Sequence, residues 1–210
     1  MLTLIRHPEP AVRGICYGAL DVPLSAAGLE HARAIAQQLH TEHFAAIYTS
    51  PLQRCAEVAR ILAEGRGCPL ETRDALRELD FGAFEGRSYD ALMREYPELC
   101  RRWMEAPTEV AFPGGESFAV MRTRVLSAAA ELRARHANQP IALVTHGGVI
   151  RILLAEAGGL DSRRLFQIDV PYGAIRRVAL PSDRDAPRAA PGATRRRSRS
   201  PRTPAPWRQR

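Results

Sequence analysis

The segment Ile141-Ala142-Leu143-Val144-Thr145 runs through His146-Gly147-Gly148 into a helix-patterned stretch from Val149 to Glu156, and no other feature constrains the fold as much. A short apolar run of this kind reads as a buried strand, and a strand that feeds a helix is one step of an α/β alternation. The alternation recurs upstream. Leu2-Thr3-Leu4-Ile5 predicts a strand, stopped by Pro8 and Pro10. Ser25 is placed to cap a helix carrying Leu29, Ala32, Ile35, Ala36 and Leu39 at helical spacing. Ala45 to Thr49 predicts a second strand, after which Pro51 opens a helix bearing Leu52, Cys55, Val58, Ala59 and Leu62. A short strand is expected over 70–72, a long helix over 117–136 and a last strand over 174–180. The expected fold class is α/β, a three-layer sandwich with a mostly parallel central sheet flanked by helices.

Two strand ends carry the chemistry. The first ends in Arg6-His7 and the strand at 141–145 ends in His146-Gly147-Gly148. Ligands of open parallel sheets gather outside the carboxyl ends of the strands, so both histidines face one crevice if these strands are neighbours. The helix start beyond Gly147 offers free N–H groups and a partial positive charge, which suits an anion. Arg54 stands just beyond the carboxyl end of the strand that finishes at Thr49. Arginine forks match phosphate oxygens two at a time. Two arginines and two histidines at one crevice describe a phosphate site.

Charge argues against a broader electrostatic role for the folded part. The net charge of +7 resides in residues 181–210, where nine arginines face two aspartates; residues 1–180 are balanced. The expected organisation is one domain over 1–180 and a disordered Arg/Pro/Ser-rich basic tail over 181–210. Nucleic acid is not an expected partner of the domain; only the tail, with Arg195-Arg196-Arg197-Ser198-Arg199, offers a surface for it. No apolar run approaches the ~20 residues of a membrane span, and MLTLIRHPEP does not read as a secretory leader. Four cysteines without a Cys-x-x-Cys pair argue against a disulfide scaffold or a zinc ribbon. A reducing cytoplasm is the expected compartment, and neither a metal nor another cofactor is expected.

The stretches LIRHPEP, TSPLQRCAEVA, LRELDFGAFEG, PGGES and VTHGG, in that order, resemble the histidine phosphatase superfamily, also called phosphoglycerate mutase-like, over roughly residues 1–180. The resemblance implies the phosphoglycerate mutase-like fold and a metal-independent phosphomonoesterase. It makes His7 the nucleophile that becomes phosphorylated. Arg6, Arg54 and His146, with Gly147, become the phosphate pocket, and Glu78 the general acid. The chemistry agrees: a neutral imidazole is a competent nucleophile near pH 7, and an alkoxide leaving group needs a proton from an acid. Asp80 and Glu85 stand close to Glu78 in sequence and leave the sharing of the acid role open. The sequence also departs from the family pattern, since Pro8 stands where most members have glycine, and proline has no N–H to offer a phosphate.

Other residues carry plainer expectations. His31, His40, His43 and His136 read as surface residues, and Cys55 as part of an apolar helix face. Ser50 either lines the pocket or starts a helix. The segment from Arg87 to Pro113, with Trp103 and Met104, is expected to form helices that cover the crevice. Gly14-Ile15-Cys16-Tyr17-Gly18 before Asp21-Val22-Pro23-Leu24 is similar to the α-ribazole phosphatase branch. That similarity implies α-ribazole 5′-phosphate as substrate, late in cobalamin assembly, with Cys16 and Tyr17 on the substrate loop. The alternatives are a broad sugar or glycerate phosphate phosphatase of the same fold and, from another class, a non-catalytic protein that binds nucleic acid through its tail. The expected partner is a small phosphate ester. Oligomeric state is left open, a homodimer included.

Overall fold

The computed structural model describes residues 1–179 except 138, and only the backbone of 162 and 163. The basic tail and its nucleic-acid reading therefore lie outside the described residues. Five strands form one sheet: β1 (Leu2–Arg6), β2 (Ala46–Thr49), β3 (Leu70–Thr72), β4 (Ile141–Thr145) and β5 (Ile175–Val178). Their order is β3-β2-β4-β1-β5. All neighbours are parallel except β5, which runs antiparallel to β1 at one edge. The sheet is thus mostly parallel, as expected. The buried alternation of its strands splits the core in two. Leu2, Leu4, Ala46, Tyr48, Ile141 and Leu143 face one way, and Ile5, Ile47, Ala142 and Val144 the other.

Helices cover both faces. α1 (Ala26–Gln38) and α2 (Gln53–Ala63) bury Ala32, Ile35, Cys55, Val58, Ala59 and Leu62 on the second face. α5 (Phe118–Arg135) and α6 (Gly147–Gly158) bury Met121, Val125, Val149 and Ile152 on the first. Between β3 and α5 lie two short helices, α3 (Tyr89–Glu95) and α4 (Pro97–Glu105). Local chemistry sets most helix starts. Ser25, Ser88 and Ser117 each accept a backbone N–H of their own first turn.

Two starts differ from expectation for physical reasons. α2 begins two residues beyond Pro51, because Asp21 of a distant loop accepts the N–H of Gln53 at 2.8 Å and serves as its cap. α6 begins at Gly147, with His146 as N-cap, rather than at Val149. Both glycines there let long side chains approach the backbone closely. A Cβ on Gly148 would lie 2.3 Å from Glu78 Oε1, and one on Gly147 would lie 2.8 Å from Arg151 Nη1. Among the described residues no helix is long and apolar enough to cross a membrane.

Candidate active site

Register brings the two histidines together. Arg6 pairs with Thr145 across the parallel β1–β4 ladder, and the His7 N–H donates to the Thr145 carbonyl at 3.0 Å. The next residue of each strand is a histidine, and their ring centroids lie 5.2 Å apart, edge to face. β2 ends at the same level, where the Ser50 N–H donates to the Val144 carbonyl at 3.1 Å. His7, Ser50, Arg54 and His146 are all buried, at 3%, 0%, 0% and 0% exposure. His7, Arg54 and His146 line one cavity of about 630 Å³, as do Arg6, Tyr17, Glu78, Gly148, Arg151 and Tyr172, whereas Ser50 does not line it.

The tautomer of His7 follows from its partner. Nδ1 lies 2.7 Å from the Pro8 carbonyl, an oxygen that only accepts, so Nδ1 carries the proton and Nε2 keeps a free lone pair. Burial, then the Arg54 charge, lowers its pKa from 6.5 to about 3, so the ring is neutral at physiological pH. The partner also resolves Pro8. Residue 8 contributes its carbonyl, which proline has, rather than an N–H, which it lacks. His146 is held well below its ordinary pKa by burial and then by His7. Its Nε2 sits 2.8 Å from Ser50 Oγ, and the Cys55 thiol packs 3.5 Å from the same nitrogen. Burial pushes the Cys55 thiol up, so it serves as packing against the ring.

The arginines are anchored on one side only. Arg54 donates through Nη1 to the Leu20 carbonyl at 2.9 Å and through Nη2 to the Gly18 carbonyl at 2.6 Å. Arg6 donates through Nη1 to the Val170 carbonyl at 2.5 Å. The Nε atoms of both arginines are buried without an acceptor. Both arginines line the cavity, where a guanidinium suits an anion. The 18–20 loop that holds Arg54 is itself tied by Glu85, whose carboxylate accepts the N–H groups of Gly18, Ala19, Leu20 and Phe81. Asp80 accepts from the Gly82 N–H. Glu85 and Asp80 thus hold backbone. Glu78 lines the cavity, its Oε2 accepting the Gly148 N–H at 3.0 Å at the start of α6.

The remaining candidates divide. Tyr17 reaches the mouth, where its hydroxyl meets that of Tyr172 at 2.5 Å. The Arg54 guanidinium lies 5.4 Å from the Tyr17 ring and that of Arg6 4.1 Å from the Tyr172 ring. Cys16 also lines the cavity but is buried, and burial, then Glu85, pushes its thiol up to about 12. Trp103 packs on Phe81, Phe84 and Phe112, while Met104 is exposed, so the covering segment has a packed inner face. His31, His40 and His43 are exposed. His136 is instead half-buried against Tyr48, whose hydroxyl lies 2.7 Å from Nε2. Sequence reasoning missed Tyr172 and Arg151. Arg151 sits one helical turn beyond Gly147, a spacing that could have found it. Tyr172 arrives from the loop before β5 with no local signal. Among the described residues no group of three or more His, Cys, Asp or Glu is arranged to hold a metal.

Known proteins resemble this chain over most of its length. The model of the histidine phosphatase superfamily (branch 1) matches residues 2–189. Phosphoserine phosphatase 1 of Hydrogenobacter thermophilus is 38% identical over 162 residues, covering 76% of this chain and 77% of that protein. The adenosylcobalamin/alpha-ribazole phosphatase of Escherichia coli is 32% identical over 179 residues, covering 82% and 86%. Among solved structures, the alpha-ribazole phosphatase from Shigella flexneri superposes with a TM-score of 0.76 at 31% identity, covering 83% of this chain and 87% of that one.

Proposed function

The chain belongs to the histidine phosphatase superfamily, branch 1, and is a phosphatase, and from that premise we propose that it hydrolyses a small phosphomonoester through a phosphohistidine at His7. One observation carries this reading: the free Nε2 lone pair of a buried, neutral His7 lies in a cavity that Arg6 and Arg54 also line. The arginines, with His146 and the α6 start at Gly147, hold the phosphate oxygens and offset their charge. Nε2 attacks phosphorus in line as the ester P–O bond breaks. Glu78, in its protonated form, gives its proton to the departing alcohol oxygen. The Nδ1–H keeps donating to the Pro8 carbonyl, which stabilises the positive charge of the phosphorylated ring. The Glu78 carboxylate then takes a proton from water as the water oxygen attacks phosphorus, which releases phosphate and restores both groups.

For the substrate we propose α-ribazole 5′-phosphate. The breadth of the cavity and its aromatic lining of Tyr17, Phe81, Tyr89, Trp103 and Phe166 support a ring-bearing alcohol. A second reading, phosphoserine, is favoured by Arg151 and Arg13 in the lining, which suit a carboxylate, and by the phosphoserine phosphatase relative. Steady-state kinetics on both esters without added metal decide between them. A kcat/KM at least about tenfold higher on α-ribazole 5′-phosphate, equivalent to ~1.4 kcal/mol of transition-state preference, is expected. The reverse order transfers the assignment to phosphoserine.

A further inference from the structure

The segment that carries Glu78 has little regular structure of its own, yet its carbonyls are held almost one by one. Arg124, on α5, donates through Nη1 to the carbonyls of Ala75 and Arg77, both at 2.8 Å. Its Nη2 donates to the carbonyl of Glu78 at 3.0 Å and to Glu116 Oε2 at 2.7 Å. Its Nε donates to Glu116 Oε1 at 2.7 Å. All five N–H groups of the fork are therefore in use. The Leu76 carbonyl accepts from Thr145 Oγ1 at 2.7 Å, and the Asp80 carbonyl accepts the Glu116 N–H at 2.8 Å. The loop of Pro113-Gly114-Gly115-Glu116-Ser117 also presses on this segment. A Cβ on Gly115 would lie 2.5 Å from the Asp80 carbonyl oxygen, and one on Gly82 2.3 Å from that of Pro113.

We propose that Arg124, locked by Glu116, is a positioning residue that sets the Glu78 carboxyl at the leaving oxygen; this rests on Glu78 being the general acid. Five donors in a planar fork fix direction as well as distance. The Glu78 carboxylate accepts the N–H groups of Gly148 and Leu79, but only the fork grips the main chain at Glu78 through its carbonyl, so its loss shifts the backbone from which the carboxyl reaches the ester oxygen while His7, Arg6 and Arg54 keep their own anchors. The motif PGGES thereby acts as a brace for the acid rather than as a contact to phosphate.

The test reads leaving-group dependence. Arg124→Lys, Glu116→Gln and Glu78→Gln are compared with the unaltered full chain on p-nitrophenyl phosphate and on the better of α-ribazole 5′-phosphate and phosphoserine. p-Nitrophenolate departs without a proton, whereas both alternatives are esters of primary alcohols that need one. kcat/KM reports only the steps up to release of the alcohol, so slow hydrolysis of the phosphohistidine does not obscure it. The expected result for Arg124→Lys is a loss of roughly tenfold to a hundredfold on the alkyl ester, with p-nitrophenyl phosphate within about threefold. Glu116→Gln shows the same bias, and it decides the matter if Arg124→Lys does not fold. An equal loss on both esters, or no loss on either, overturns the proposal. Glu78→Gln separates the two readings. A bias there without one in the Arg124 and Glu116 variants removes the positioning role and keeps the acid. No bias in Glu78→Gln removes the acid assignment itself.

Discussion

At the scale of the residue, the site depends on which groups are left without a protein partner. The His7 side chain is fixed by one hydrogen bond that leaves Nε2 free, and each of two arginines is anchored through its Nη groups while its buried Nε stays unpaired. Pro8 retains the carbonyl that partners His7 Nδ1. Because residue 8 acts through its carbonyl, Pro8→Gly is expected to leave kcat/KM within about threefold. The same change should lower stability by about 1 kcal/mol, since glycine frees the unfolded chain. Steady-state kinetics and urea denaturation check both halves. A tenfold rise in kcat/KM with glycine would mean that an amide at this position binds phosphate after all.

At the scale of the element, the parallel core was legible because each strand is a short apolar run bounded by helix or turn signals. Leu2 to Ile5, Ala45 to Thr49 and Ile141 to Thr145 all sit within a residue of β1, β2 and β4. Legibility failed where the cause lies far away in sequence. The start of α2 is set by Asp21, and no local rule predicts a cap 32 residues upstream. The antiparallel sense of β5 is a property of pairing, to which periodicity is blind. The site divides in the same way. His7 and His146 stand at strand ends, where the fold class alone directs attention, whereas Tyr172 and Arg124 reach the site only through tertiary packing. The family motif already pointed to Glu78 rather than Glu85 for the acid, and the Glu85 carboxylate is indeed tied to four backbone N–H groups.

At the scale of the whole molecule, the catalytic apparatus should weaken the fold in acid. The folded pKa of His7, about 3, lies below its ordinary 6.5. Between these values the unfolded chain holds a proton that the folded protein does not, so stability rises with pH through this window and is lost as pH falls. Replacing His7 by Gln should flatten this dependence by up to about 1.4 kcal/mol per pH unit between roughly pH 4 and 6. Urea denaturation across that range measures it, and an unchanged slope would mean that His7 is protonated in the folded state. The central claim is the covalent intermediate, and rapid quenching tests it most directly. The full chain is mixed with radiolabelled substrate, stopped in alkali, where a phosphoramidate survives, and mapped by peptide mass spectrometry. Phosphate on His7, absent from His7→Ala, is the predicted result. Turnover with no labelled protein, or label on any other residue, would contradict the account.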